Sequence, residues 1–313
     1  MARTQLIQDR RLSGPALRQA IWRSRYFYLF IAPAFIYFLI FTYIPYFGLV
    51  IAFQDFKIFS GVFKSPFVGL KHFQTFFNSR NFYLLMRNTL NISLLRLAFC
   101  FPAPILFALL LNEVRHYPYK RAVQTITYFP NFLSWVVYAG IVMTFIRPTG
   151  VINTLFTWLG LTPPNILTST QAFVPMLIVT DMLKGFGFGA IVYLAALSGV
   201  DAQLYEAAVI DGAKKLRQIW HITLPGIRPT IVVMLIMSLG NIMNAGFDQI
   251  FNLYNASVYQ VADIIDTYVF RVGYMSTQYS LGTAVGMFKG LIGMALIVGA
   301  NALIRRTGEA SIW

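Results

Sequence analysis

Six long apolar stretches dominate the chain, at roughly 26–53, 88–111, 122–146, 172–200, 229–251 and 281–304. Each is long enough for a helix to cross a hydrocarbon core, which takes about 20 apolar residues. Polar and charged residues collect in the intervals between them. The pattern predicts an all-α membrane protein with six transmembrane helices. Composition agrees: 57% of residues are hydrophobic and 12% charged, with a mean hydropathy of +0.62, against about 25% charged in soluble domains. Buried helices of a large soluble protein would be shorter and would need far more polar surface. The first stretch follows a basic segment, but it exceeds the roughly 7–15 apolar residues of a signal peptide. No small-residue cleavage site closes it. It is expected to remain as an uncleaved span, kinked by Pro33 and Pro45.

Lysine and arginine set the orientation, because positive residues stay on the cytoplasmic side. With the N-terminus inside, the inner segments 1–25, 113–121, 201–228 and 305–313 hold 15 of them. The outer segments 54–87, 147–171 and 252–280 hold 7. Both termini are therefore expected in the cytoplasm. The net charge of +14 is explained by anchoring to anionic inner-leaflet lipids and calls for no nucleic acid. The outer segment 54–87 carries Phe56, Phe59, Phe63, Phe67, Phe73, Phe76, Phe77 and Phe82, which points to the headgroup zone, with some rings free to meet a soluble partner.

The inner segment 201–228 is more elaborate than a connector needs. It reads as a helix, a break at Gly212, a second helix and a stop at Pro225. Gly212 permits a sharp bend, Ala207 and Ala208 are small enough to enter a groove, and Glu206 and Asp211 offer carboxylates to a partner's donors. A hairpin lying on lipid would want a basic face with apolar anchors. Lys214, Lys215, Arg217 and Trp220 partly supply one, but such a role does not require Glu-Ala-Ala and Asp-Gly. Docking into a cytoplasmic partner is the expectation.

Four ionisable residues fall well inside the stretches: Arg96, Asp181, Lys184 and Lys289. Buried membrane charges are costly and face a cavity or a partner. At 1.5 Å per residue, Arg96 and Lys289 lie about 12 Å from the outer ends of their spans, and Asp181 and Lys184 about 14–18 Å. Asp181 and Lys184, three apart, share a helix face and are candidates to pair. With that pair formed, Arg96 and Lys289 remain without an acidic partner at their depth, and Asp248 sits near the outer end of its stretch. The expectation is a water-filled cavity favouring an anion, with Asn241 and Asn244 adding polar groups.

The chain lacks other chemistry. No G-x-x-x-x-G-K-[ST] occurs, so no P-loop holds ATP. His72, His116 and His221 are isolated, no metal spacing is present, and no nucleophile–base set suggests catalysis. The lone Cys100 excludes an internal disulfide. The run G-F-G-F-G at 185–189 lacks the strand–turn–helix setting of a phosphate loop and is expected to allow close helix packing.

The hairpin resembles the EAA loop of permease subunits of bacterial ATP-binding-cassette importers, in Glu206-Ala207-Ala208, Asp211-Gly212-Ala213 and Leu224-Pro225. It departs from the common pattern at Lys214, where a small residue is usual, and at Ile219, where an aromatic is. Stretches 29–45, 52–57 with 68–73, 101–113, 193–200 and the ending 308–313 are similar to oligosaccharide permeases of the aldouronate and alginate branch. This resemblance implies a type I importer fold. It also implies a second related permease, two cytoplasmic ATPase subunits that bind ATP and Mg, and a periplasmic or extracellular solute-binding protein. The ATPase-coupling residues would be Glu206, Ala207, Ala208, Asp211, Gly212, Leu224 and Pro225. The substrate path would draw on Arg96, Asp181, Lys184, Asn241, Asn244 and Lys289, in a multi-pass protein of the bacterial cytoplasmic membrane that holds no cofactor of its own. The implied organisation is a basic tail (1–25), a first helix with a large periplasmic loop (26–83), a core of five helices (84–304) and a C-terminal tail (305–313). The substrate would be an oligosaccharide, acidic in that branch, with neutral sugars or another small solute as the alternative.

Overall fold

The computed structural model describes Arg18 and residues 22–306. Arg3, Arg10, Arg11 and the ending 308–313 lie outside the described residues. Within them the chain is helical, with one isolated antiparallel bridge, Gln54 to Phe67. The principal helices are α1 (Arg25–Phe53), α2 (Arg80–Phe99), α3 (Pro102–Glu113), α4 (Tyr117–Tyr128), α5 (Trp135–Ile146), α6 (Val151–Trp158) and α7 (Phe173–Ser198). They are followed by α8 (Ala202–Ile210), α9 (Lys215–Gly240), α10 (Phe247–Leu253) and α11 (Tyr279–Arg306). Six membrane-length candidates result: α1, α2 with α3, α5 with α6, α7, α9 and α11.

Several expected spans shift. The stretch 122–146 is not one helix: α4 ends at Tyr128, a 3-10 turn follows at Phe129–Phe132, and α5 starts at Trp135. Pro130 ends the ladder by removing a donor, and Ser134 caps the new helix by accepting from the Val137 N–H at 3.3 Å. The stretch 229–251 also breaks, because α9 stops at Gly240 and the backbone turns left-handed at Ala245 and Gly246.

Pro225 does not stop the helix as the sequence suggests. A π-helical turn, Ile219–Thr223, precedes it and carries α9 onward. The same device precedes Pro45, at Leu39–Tyr43. A proline ring clashes with the carbonyl four residues back and offers no N–H. A π turn, bonding five residues back, moves that carbonyl aside.

α1 is exposed and apolar on every side from Tyr26 to Phe47, and only its end, Gly48–Phe53, packs along α11. Such a surface belongs in lipid or in an interface. The segment after it folds back tightly. The Asp55 N–H donates to the Pro66 carbonyl at 2.9 Å and the Val68 N–H to the Phe53 carbonyl at 2.8 Å, while Lys71 and His72 both reach Asp55. Phe76 is buried among Phe77, Phe82, Tyr268 and Phe288, whereas Phe59 and Phe63 are fully exposed. The phenylalanines of this segment therefore divide between core and surface.

The interval 252–280, expected as an outer loop, re-enters the protein. Ile264, Ile265 and Thr267 have no exposed surface. The Asn88 amide donates to the Asp263 carbonyl at 3.0 Å and the Ile265 N–H to Thr89 Oγ1 at 3.1 Å. These bonds satisfy the buried backbone and side chains where the segment packs against α2.

Candidate functional site

The surface hairpin forms as its residues dictate. Asp201 caps α8, accepting from the Gln203 N–H at 2.9 Å. At the other end the Gly212 N–H donates to Val209 and the Ala213 N–H to Ala208, the paired bonds of a Schellman cap. That cap needs a left-handed residue, and Gly212 has φ +74°. The arms are pinned by a Tyr205–Thr223 hydroxyl contact of 3.0 Å and by Gln218 donating to the Ala213 carbonyl at 2.9 Å. Lys215 ties the hairpin to Glu113 on α3 at 3.0 Å. Glu206 and Asp211 are exposed and make no ion pair among the described residues. Around them Val209, Ile210, Leu216 and Trp220 project as an apolar patch.

The four interior charges do not share one cavity. Arg96 faces Asp181 at 3.5 Å and also donates to the Gln249 amide oxygen. Lys289 Nζ lies 2.6 and 2.7 Å from the two oxygens of Asp266. Neither cation is unpaired, contrary to the sequence expectation, because Asp266 reaches the bundle on the re-entrant segment and Asp181 turns to α2. Lys184 does not pair with Asp181. Its Nζ donates to the carbonyls of Pro130, Asn131 and Leu133 at 3.1, 3.1 and 2.8 Å. Those carbonyls lie at the break between α4 and α5, where the Pro130 carbonyl also accepts the Leu133 N–H at 3.2 Å, and an ammonium with three donors reaches all three.

Two cavities adjoin the break after α9. The one nearer the hairpin, about 400 Å³, is lined by Arg96, Asp181, Asn241, Asn244, Ser93, Cys100, Tyr193 and Ser238. The one nearer the folded loop, about 750 Å³, is lined by Asn244, Asp248, Asp266, Trp135, Phe247, Phe270, Tyr274 and Tyr279. Asn244 and Gly246 belong to both walls. The structure thus gathers Arg96, Asp181, Asn241 and Asn244, and leaves Lys184 and Lys289 outside either lining.

Gln249, Gly246 and Asp266 were missed from sequence. Gln249 is fully buried and donates to the Leu177 carbonyl at 2.8 Å and Thr180 Oγ1 at 2.7 Å, so α10, α2 and α7 meet at one amide. Gly246, at φ +79°, leaves room that the Arg96 guanidinium fills, and a Cβ there would overlap it. A glutamine within an apolar stretch was a usable signal for the first. Nothing local marked Asp266, whose role comes from a segment that folds back. Close packing at the glycine run is seen at Gly187, whose Cα lies against Thr127, and at Gly189, against Pro104.

Residues 101–308 match the family model described as binding-protein-dependent transport system inner membrane component. The chain is 46% identical over 294 residues to the polygalacturonan/rhamnogalacturonan transport system permease protein YteP of Bacillus subtilis (strain 168), covering 93% of this chain and 91% of that protein. It is also similar to a chain of a bacterial ABC transporter involved in the import of the acidic polysaccharide alginate, with 42% identity, a TM-score of 0.86, and 93% and 98% of the two chains covered. A second solved structure is a bacterial alginate ABC transporter in complex with an alginate pentasaccharide-bound periplasmic protein. Against it the identity is 40% and the TM-score 0.87, with 95% and 99% covered.

Proposed function

The chain belongs to the family of binding-protein-dependent transport system inner membrane components, and from that premise we propose that it is one permease of an ATP-driven oligosaccharide importer. The observation that carries the coupling role is the rigid, Gly212-bent hairpin with uncommitted Glu206 and Asp211 beside an exposed apolar patch. A small hydrophobic centre edged by unpaired charge is what a protein partner buries. The partner is a cytoplasmic ATPase subunit, which binds ATP and Mg; a second permease completes the membrane part and a solute-binding protein delivers sugar. Closure of two ATPases draws two such hairpins together and rocks the spans. The N-terminus, the hairpin and the C-terminus face the cytoplasm, supported by the distribution of lysine and arginine.

Substrate passes along the two cavities that share Asn244 and Gly246. The hairpin-side cavity offers the Asn241 and Asn244 amides beside the Arg96–Asp181 pair, polar groups that suit a hydroxyl-rich ligand. That the substrates include acidic chains is supported by similarity to a polygalacturonan/rhamnogalacturonan permease and to a transporter that imports the acidic polysaccharide alginate. Free interior cations do not support it, since Arg96 and Lys289 are paired; the same pairing favours neutral sugars as the second reading. Glu206→Lys and Gly212→Leu, in the reconstituted assembly, should lower sugar uptake at least about ten-fold, the change expected for about 1.4 kcal/mol lost from an interface, while the spans stay folded. Uptake at the parental rate in both variants would sink the coupling role.

A further inference from the structure

The loop-side cavity has a lining chemistry unlike its neighbour's. Phe270 and Tyr274 stand on the π-helical turn Val269–Met275 with ring centroids 5.5 Å apart and planes at 27°. Phe247 lies 6.0 Å from Phe270 with its plane tilted by 51°, so three neighbouring rings line this side of the cavity. Part of the wall is closely packed backbone: a Cβ on Gly273 would lie 2.9 Å from the Gly282 Cα, so no side chain projects from either glycine into the cavity. An aromatic face is electron-rich and attracts the C–H-bearing face of a sugar ring.

The polar groups are few. Asp266 is committed, both oxygens held by Lys289. Asp248 is exposed to the cavity, and its carboxylate has no hydrogen bond or ion pair among the described residues. No lysine or arginine lines the cavity. A lone carboxylate accepts hydrogen bonds from neighbouring hydroxyls and repels another carboxylate. At about 750 Å³ the space is within the 300–1,000 Å³ of ordinary ligand sites.

We propose that this cavity is a second sugar subsite, in which Phe270 and Tyr274 carry the face of an uncharged sugar ring and Asp248 accepts its hydroxyls. A uronate is disfavoured at that position. The inference rests on the oligosaccharide reading and gives it a composition: the preferred chain places an uncharged residue next to the Asn241–Asn244 cavity.

The test is equilibrium binding of two radiolabelled probes, galactotriose and trigalacturonate, to the purified permease–ATPase assembly in detergent, without binding protein. Asp248→Asn should raise the affinity ratio of trigalacturonate to galactotriose about five-fold, the scale of a solvated charge–charge contact. Tyr274→Leu should weaken both sugars by up to about ten-fold, the scale of an aromatic stacking contact, and Tyr274→Phe, which keeps the ring, should restore binding. A ratio unchanged within about two-fold in Asp248→Asn, or parental binding in Tyr274→Leu, overturns the subsite. So does a parental assembly that binds neither probe. Uptake by vesicles supplied with the binding protein reads the oligosaccharide role separately: uptake without detergent-phase binding removes only the subsite, and absence of both removes the reading beneath it.

Discussion

Lys184 shows how a single residue can mislead and then explain. From sequence it is a charge three residues from Asp181, and a mutual pair is the simple reading. In the fold it is buried, lies over the rings of Trp135 and Tyr138 at 5.4 and 5.7 Å, and closes three carbonyls of the α4–α5 break. Removing it takes the ammonium donor from the Asn131 and Leu133 carbonyls, at about 1–3 kcal/mol for each left unsatisfied when buried, while the Pro130 carbonyl keeps the Leu133 N–H. Lys184→Met should therefore lower the unfolding midpoint of the purified assembly more than Asp181→Asn does, because Arg96 keeps Gln249 when Asp181 is neutralised. Equal midpoints for the two variants would show that the carbonyl cluster is not held by the ammonium. Arg96 is a parallel case. It was legible as an interior cation, but its partners stand on α7 and α10 and no spacing along α2 announces them.

At the level of elements, the two stretches 52–57 and 68–73 prove to be halves of one clamp. Backbone bonds join Phe53 to Val68 and Asp55 to Pro66, and Lys71 and His72 grip the Asp55 carboxylate at 2.7 and 3.0 Å. Ser280 adds the end of the clamp to α11, donating to the Gln54 carbonyl at 2.5 Å and accepting from the Phe56 N–H at 2.9 Å. The hydrogen bond from Lys71, against a smaller opposing effect of burial, holds the Asp55 carboxyl below its ordinary value, and the charges of Lys71 and His72 add to this. A carboxyl lowered in the folded state stabilises that state above its unfolded pKa, and the contribution fades as pH falls through the folded one. The ordinary aspartate value is about 3.9. Amide exchange at Asp55 and Val68, compared with Asp55→Asn at each pH, should be better protected in the parent above about pH 5 and should converge with it below about pH 3. A constant difference across that range would remove Asp55 from the clamp. The second lesson at this scale concerns proline: Pro45 and Pro225 read as kinks or stops, yet each follows a π turn and the helix runs on.

Over the whole molecule, orientation is the claim on which coupling depends. In a Cys100→Ala background, a cysteine at Phe59, which is fully exposed, should react with an impermeant maleimide added outside intact cells. One at Leu216, exposed on the hairpin, should react only after the membrane is opened. The reverse pattern would turn the hairpin away from any cytoplasmic ATPase.

The sequence alone determined the solvent, the helical class, the presence of six membrane-length candidates and the bend at Gly212. Hydropathy, helical rise and glycine stereochemistry act over a few residues, so their traces lie in consecutive letters. Tertiary structure decided where the spans break, that residues 259–275 fold back into the bundle, and that every interior cation has a partner or a set of carbonyls. Pairing across helices depends on distance in space: Asp266 is 23 residues from Lys289 and Gln249 is 153 from Arg96. At those separations only the packed core chooses which charges meet, and it turned an expected anion-favouring cavity with free cations into two linked cavities with their charges largely compensated.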